Sequence, residues 1–144
     1  MKHTDTVNLR YPATITAQEG GGYFVQFVDL PDTFTEGATM EEALFNAVEV
    51  LSAMLGWRSD EGLEIPAPSI NLRKAHYITP DTKMQAVLLL RQARGERSLA
   101  DLARALDTSW AQVKRLDDAR HWASLKTLDK AARVLGKRLE LRFL

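Results

Sequence analysis

Cysteine is absent from the 144-residue chain. That excludes a disulfide framework, a thiolate metal site and a thiol nucleophile, and it agrees with a reducing compartment. Long apolar runs are missing as well: none approaches the roughly 18 residues that a membrane span requires, so no membrane partner is expected. The start, Met1 to Thr6, has no apolar stretch behind its charges and therefore lacks the middle region of a secretory signal, which leads to the expectation of a cytoplasmic protein. Histidine is scarce, and His3, His76 and His121 show no paired-ligand or triad spacing, so neither a catalytic site, a metal site nor a cofactor is expected. Positive charge is nearly absent from the first half. Residues 1–70 hold Lys2, Arg10 and Arg58 against eleven Asp and Glu, a net of −8, while residues 71–144 hold sixteen Lys and Arg against eight acids, a net of +8. The formal net charge of zero therefore conceals two oppositely charged halves. They can attract each other or serve separate partners, the basic half suiting phosphate backbones and the acidic half a cationic protein.

With 45% apolar and 26% charged residues, the composition is that of a globular protein of one domain or two small ones. Leu9, Tyr11, Ala13, Ile15 and Ala17 alternate with polar residues and Pro12, the period of a half-buried strand, and Pro12 places that strand at an edge or faces outwards there. Gly20-Gly21-Gly22 supplies a tight turn into a second strand, Tyr23 to Val28, and Phe34 to Glu36 reads as a third. The glycine run joins strand to strand and offers no helix N-terminus, so it does not read as a phosphate cradle. Thr39 and Glu42 have the spacing of a capping box. The helix they open buries Met40, Ala43, Leu44, Ala47, Val48, Leu51, Met54 and Leu55 and leaves Glu41, Glu42, Asn46 and Glu49 outside; Met40 and Met54 are core residues on that pattern. Residues 56–74 read as a long loop interrupted by Gly62, Pro66 and Pro68, and residues 76–79 as a strand that ends at Pro80 and is able to return to the first sheet. Four helices follow: residues 81–94 closed by Gly95, 98–106, 109 to about 118, and 125–135 closed by Gly136. Leu139, Leu141 and Phe143 alternate with charged residues as in a strand, which needs a partner that a second copy could supply. The expected fold is α+β: an acidic β-β-β-α-β domain over residues 1–80 and a basic helical domain with a C-terminal strand over residues 81–144.

Residues 99–116 contain two short helices separated by about three residues, the spacing of a helix-turn-helix. Leu102, Leu106, Val113 and Leu116 can fill the core between them, and small Ala103 permits close approach. Ser109 can cap the second helix and leave its first N–H groups for a phosphate. An advance of 100° per residue from Val113 turns Ala111, Lys114, Arg115 and Asp118 outwards. Lys114 and Arg115 suit phosphates or guanine edges, Gln112 on the flank suits adenine, and Ala111 permits close entry into a major groove. Trp110, three residues before Val113, sits at the rim of the core and reads as packing more than as base contact. The turn has Asp107 where a glycine is often found, a residue that tolerates left-handed backbone but carries the wrong charge beside phosphates.

From Arg10 onward the chain resembles HicB antitoxins across most of its length. In the first half the similar stretches are residues 11–16, Glu19-Gly20-Gly21-Gly22-Tyr23-Phe24-Val25, Phe27-Val28-Asp29-Leu30-Pro31 and Thr35-Glu36-Gly37-Ala38-Thr39 with Glu42-Ala43. In the second half, residues 98–116, 124–128 and 132–136 look like the helix-turn-helix of phage-repressor-like regulators, which some HicB proteins carry at this end. The resemblance implies an incomplete RNase H-like first domain that binds and blocks a small basic RNase of the HicA kind. It also implies a dimer or a pair of dimers that represses its own operon by binding operator DNA. Asp29, Asp32 and Glu36, near the strand ends, are the carboxylates expected to meet the toxin.

Two other functions compete. A complete RNase H-like fold cleaves nucleic acid with metal ions held by several carboxylates, but here the first strand has no carboxylate and Asp29 stands alone near the end of the second. No enzyme is expected. A stand-alone transcriptional repressor, its first domain serving as an oligomeriser or small-molecule sensor, is the alternative to an antitoxin.

Overall fold

The computed structural model describes residues 7–144. They form a mixed α+β structure with four strands and five helices: β1 (Tyr11–Ala17), β2 (Tyr23–Phe27), β3 (Phe34–Gly37), α1 (Met40–Asp60), β4 (His76–Ile78), α2 (Thr82–Arg94), α3 (Leu99–Ala105), α4 (Trp110–Leu116) and α5 (Leu125–Val134). Two compact units divide the chain between Asp81 and Thr82. No helix among the described residues is long and apolar enough to cross a membrane.

In the first unit the strands form one antiparallel sheet in the order β3-β2-β1-β4. Gly20, Gly21 and Gly22 all take positive φ, and the Gln18 N–H donates to the Gly22 carbonyl to close the β1–β2 turn (2.9 Å). β4 pairs with the other side of β1, so β1 is central and the expectation that Pro12 marks an edge is corrected. The Pro12 carbonyl accepts from the Val28 N–H (3.0 Å). A strand residue points its N–H and C=O to the same neighbour. The donor that proline lacks therefore faces β2 where that ladder ends, and the pairing with Tyr77 on β4 does not need it.

Ala13 pairs with Phe27 and Ile15 with Val25, so these side chains share one face of the sheet. Ala13, Val25 and Phe27 are buried there with Tyr11, Leu30 and Ile78, against Ala43, Ala47, Leu51 and Leu55 of α1. The opposite face carries Thr14, Thr16 and Gln26 together with Phe24 and the exposed Phe34, whose ring centroids lie 6.0 Å apart.

Helix α1 begins as expected, with the Thr39 hydroxyl accepting from the Glu42 N–H (3.1 Å), although the reciprocal half of the capping box is not formed. It does not stop at Gly56. The buried series Ala47, Leu51, Leu55, Ser59 continues past that residue, and tertiary packing outweighs the roughly 1 kcal/mol helix penalty of a glycine. The stop is Gly62, at φ +68°, where the Leu63 N–H reaches back to the Arg58 carbonyl (2.8 Å) as in a Schellman motif. The unstructured connection is thereby shortened to residues 61–75.

In the second unit, α2 to α5 enclose Leu102, Ala103, Leu106, Val113, Leu116, Ala131 and Leu135, with Leu90, Leu99 and Val134 packed around them. Gly95 and Gly136 close α2 and α5 with positive φ. Residues 137–144 form no strand, which corrects that expectation for the single chain: Leu141 and Phe143 are exposed, and no other strand is present in this unit to supply a ladder.

The tightest contact in the first unit lies between β3 and α1. A Cβ built on Gly37 would stand 2.3 Å from the Ala43 backbone nitrogen and 2.7 Å from its Cα. Gly37→Ala is accordingly expected to destabilise the protein by about 1–3 kcal/mol, because helix and strand must separate. Urea unfolding checks this, and a variant as stable as the parent would mean that the contact is looser than described.

Candidate functional site

The residues singled out from sequence fall on two surfaces, one in each unit. In the first, the three carboxylates read from the sequence have different situations. Asp29, just beyond β2, is half-buried and turned inwards: it accepts from the Ser69 N–H (2.8 Å) and the Ser69 hydroxyl (2.6 Å). The neighbouring Tyr11 hydroxyl donates to the Pro66 carbonyl (2.7 Å), and burial together with the Asp29 charge pushes its pKa up to about 12. Tyr77 completes the clasp, its hydroxyl donating to the Ser69 carbonyl (3.2 Å) and accepting from the Leu72 N–H (3.0 Å). Asp29 thus holds the long connection in place, a role that an acid in sequence reveals only through its remote partner.

Asp32 is exposed in the turn before β3 and pairs with Arg58 of α1, both carboxylate oxygens lying 3.2 Å from one guanidinium nitrogen. Glu36 is exposed on β3 and accepts from the Gln18 side chain (3.0 Å). The structure therefore does not gather the three acids into one cluster. Asn46, expected outside, is half-buried and ties α1 to β3 by donating to the Glu36 carbonyl (2.8 Å). Phe45 and Trp57, which helical periodicity did not single out, are 66% and 48% exposed on α1.

In the second unit, α3 and α4 are joined by residues 106–109. The Ser98–Asp101 capping box opens α3, and the hydrogen bonds that the Asp101 carboxyl receives from the Ser98 backbone N–H and side chain hold it below the usual carboxylate range. The turn requires left-handed backbone at Asp107, φ +52°. The Ser109 hydroxyl then accepts from the Gln112 N–H (3.2 Å) to cap α4. Val113 and Leu116 are buried, which leaves Trp110, Ala111, Gln112, Lys114 and Arg115 exposed on the other side. Trp110, 55% exposed, belongs to the surface more than to the core rim. Asp118 does not extend that face, because α4 ends at Leu116. Its carboxylate accepts from the Arg120 side chain (3.0 Å) and N–H (2.9 Å), which hold it below its ordinary pKa.

One polar pair in this unit was not legible in advance. Arg91 of α2 grips Asp117, the C-cap of α4, with Nε–Oδ1 and Nη2–Oδ2 distances of 2.8 and 3.0 Å. Asp117 is nearly buried. The fork geometry resists rotation of α4 about its own axis as well as its separation from α2. Sequence held no signal for it, since partners 26 residues apart fit no helical or strand period.

Among the described residues no three His, Asp or Glu side chains converge as metal ligands. His76 is exposed on β4, His121 lies 3.5 Å from Asp118, and His3 is outside the described residues.

The backbone at Asp107 predicts opposite effects for two substitutions. Asp107→Gly should leave stability within about 1 kcal/mol of the parent or raise it, since glycine adopts positive φ without strain. Asp107→Val should lower it by about 1–2 kcal/mol. Thermal unfolding separates them, and equal stability of the two variants would contradict the left-handed turn.

Comparison with known proteins covers both units. Residues 10–79 match a family model described as the HicB_like antitoxin of bacterial toxin-antitoxin system. The chain is 32% identical over 135 residues to Antitoxin HicB of Escherichia coli strain K12, a match covering 92% of this chain and 98% of that protein. It is also 32% identical over 135 residues to Antitoxin HicB 1 of Photorhabdus laumondii, covering 93% and 86%. Antitoxin HicB of Pseudomonas fluorescens strain Pf0-1 is 26% identical over 127 residues, covering 86% and 87%.

Proposed function

This chain belongs to the HicB-like antitoxin family, whose members are regulatory proteins and not enzymes, and from that premise we propose that it neutralises a HicA-type RNase toxin by binding it directly and represses its own operon by binding operator DNA. The first unit, an incomplete RNase H-like fold on this reading, takes the toxin. The net charge of −8 over residues 1–70 carries that assignment, because a protein that handles RNA presents a cationic surface to an acidic one. Of the carboxylates, Glu36 and Asp32 are at the surface, Asp32 already paired with Arg58, while Asp29 contributes by holding the long connection in place.

The second unit serves as a helix-turn-helix domain, with α4 as the helix that enters the major groove. The observation supporting this is the division of α4 into a buried Val113–Leu116 side and an exposed side bearing Ala111, Gln112, Lys114 and Arg115 behind the Ser109 cap. Lys114 and Arg115 contact phosphates or guanine edges, Gln112 pairs with adenine, and Ser109 and Trp110 lie against the backbone. An operator read by a two-fold protein needs two such helices. The C-terminal segment, with Leu141 and Phe143 exposed, is the natural place for two copies to pair as strands, giving a dimer or a pair of dimers. No membrane partner and no cofactor enter this function, and a cytoplasmic setting suits both partners.

The experiment that tests the reading is co-expression with the product of the small gene adjacent to this one, followed by purification and a growth assay. A stable complex and restored growth are expected. A non-toxic neighbour that forms no complex would leave a stand-alone repressor. For the DNA half, Lys114→Ala with Arg115→Ala should weaken operator binding by at least about 1–3 kcal/mol in total while toxin inhibition persists, as read by titration at fixed salt. Unchanged DNA affinity would remove α4 as the reading helix.

A further inference from the structure

Phe45, Glu49, Ala53 and Trp57 recur every four residues along α1, and all four are exposed. They lie along a single i±4 ridge. At 1.5 Å per residue the two aromatic rings stand about 18 Å apart along the helix, one 66% and the other 48% exposed. A single exposed apolar residue is ordinary on a protein surface. Each four-residue step turns about 40° around the axis, so two large aromatics on this ridge, on a helix that buries its opposite side, form a docking feature that winds along the helix.

The charge along this ridge selects its occupant. Glu42 precedes Phe45, Glu49 stands between the rings, and Asp60 follows Trp57. None of the three forms an ion pair among the described residues. Arg58, the only cation of the helix, is tied to Asp32 and donates to the Glu64 carbonyl (3.3 Å), so it does not offset them. A nucleic acid would be repelled by such a surface. Two copies meeting on the same ridge would oppose carboxylate to carboxylate. A cationic protein, by contrast, can lay guanidinium or ammonium groups over the rings while the flanking carboxylates neutralise them.

We propose that the outer ridge of α1, anchored by Phe45 and Trp57 and flanked by Glu42, Glu49 and Asp60, is the surface on which the basic toxin docks. This rests on the antitoxin reading above and goes beyond it by moving the centre of the interface from the strand ends to the helix. Aromatic anchors surrounded by charge supply most of the affinity in such an interface, and the acids chiefly speed encounter.

The test uses the full chain and the purified product of the adjacent toxin gene, with binding followed by surface plasmon resonance and folding by thermal unfolding. Phe45→Ala combined with Trp57→Ala should weaken the complex at least about 30-fold with an unchanged melting temperature, each anchor being worth a hot-spot residue. Glu42→Lys combined with Glu49→Lys should slow association about tenfold at low salt, the difference shrinking as salt rises. This second variant decides the matter if the first fails to fold. Phe34→Ala, on the opposite face of the sheet, should bind within about twofold of the parent. Folded ridge variants that bind like the parent overturn the proposal, and loss of binding in Phe34→Ala instead would move the dock to the sheet. If the parent chain itself does not bind the toxin, the antitoxin reading fails together with the proposal.

Discussion

The position of α1 depends on an absence of atoms at Gly37. Helix and edge strand approach so closely there that a methyl group would overlap the Ala43 backbone, and only a glycine lets the start of the helix lie directly against the strand. The rest of the first unit follows from that approach. Ala43 stands at the close approach, Ala47, Leu51 and Leu55 continue the buried side of the helix, and α1 contacts β2 and β4 as well as β3. Asn46 and Arg58 fasten the same side of the helix to β3 and to the turn before it. With one side so fixed, the direction in which the opposite ridge faces is fixed as well.

The second unit solves a similar problem with charge instead of close packing. Its helices α3 and α4 have seven residues each, too short to be stable alone. They are held by a small apolar core and by capping at both starts. The forked pair of Arg91 and Asp117 then sets the angle at which α4 presents its exposed side. Because Asp117 is nearly buried, truncating Arg91 would leave a carboxylate without its counter-charge, which costs more than the pair itself contributes.

Much of this was legible in sequence because it rests on local rules. Alternation located β1 and β2, the Gly20–Gly22 run located their turn, and hydroxyl caps at Thr39 and Ser109 located two helix starts. The apolar and exposed residues of α4 sorted as the helical period requires. What escaped depends on partners distant in the chain. Pro12 suggested an edge strand, and only the identity of its neighbours reveals that its missing donor falls at a ladder end. Gly56 suggested a stop, although burial of Ser59 one turn later carries the helix onward. Asp29 looked available, but Ser69, forty residues away, occupies both its oxygens. Exposed aromatics such as Phe45 pass for core residues in any reading that equates apolar with buried.

The clasp around residues 66–77 has a bearing on how the first unit opens. Ser69 is held at its N–H, hydroxyl and carbonyl, and the Tyr77 hydroxyl that meets its carbonyl also receives the Leu72 N–H. Tyr77 in turn belongs to β4, whose pairing to β1 involves three residues. These bonds share atoms, so none is lost alone. Segments linked in this way exchange their amide hydrogens together, as one cooperative subunit of stability. The connection and β4 would therefore detach from the hairpin and α1 as a single piece, leaving β1 with a free edge while the remaining three strands stay paired.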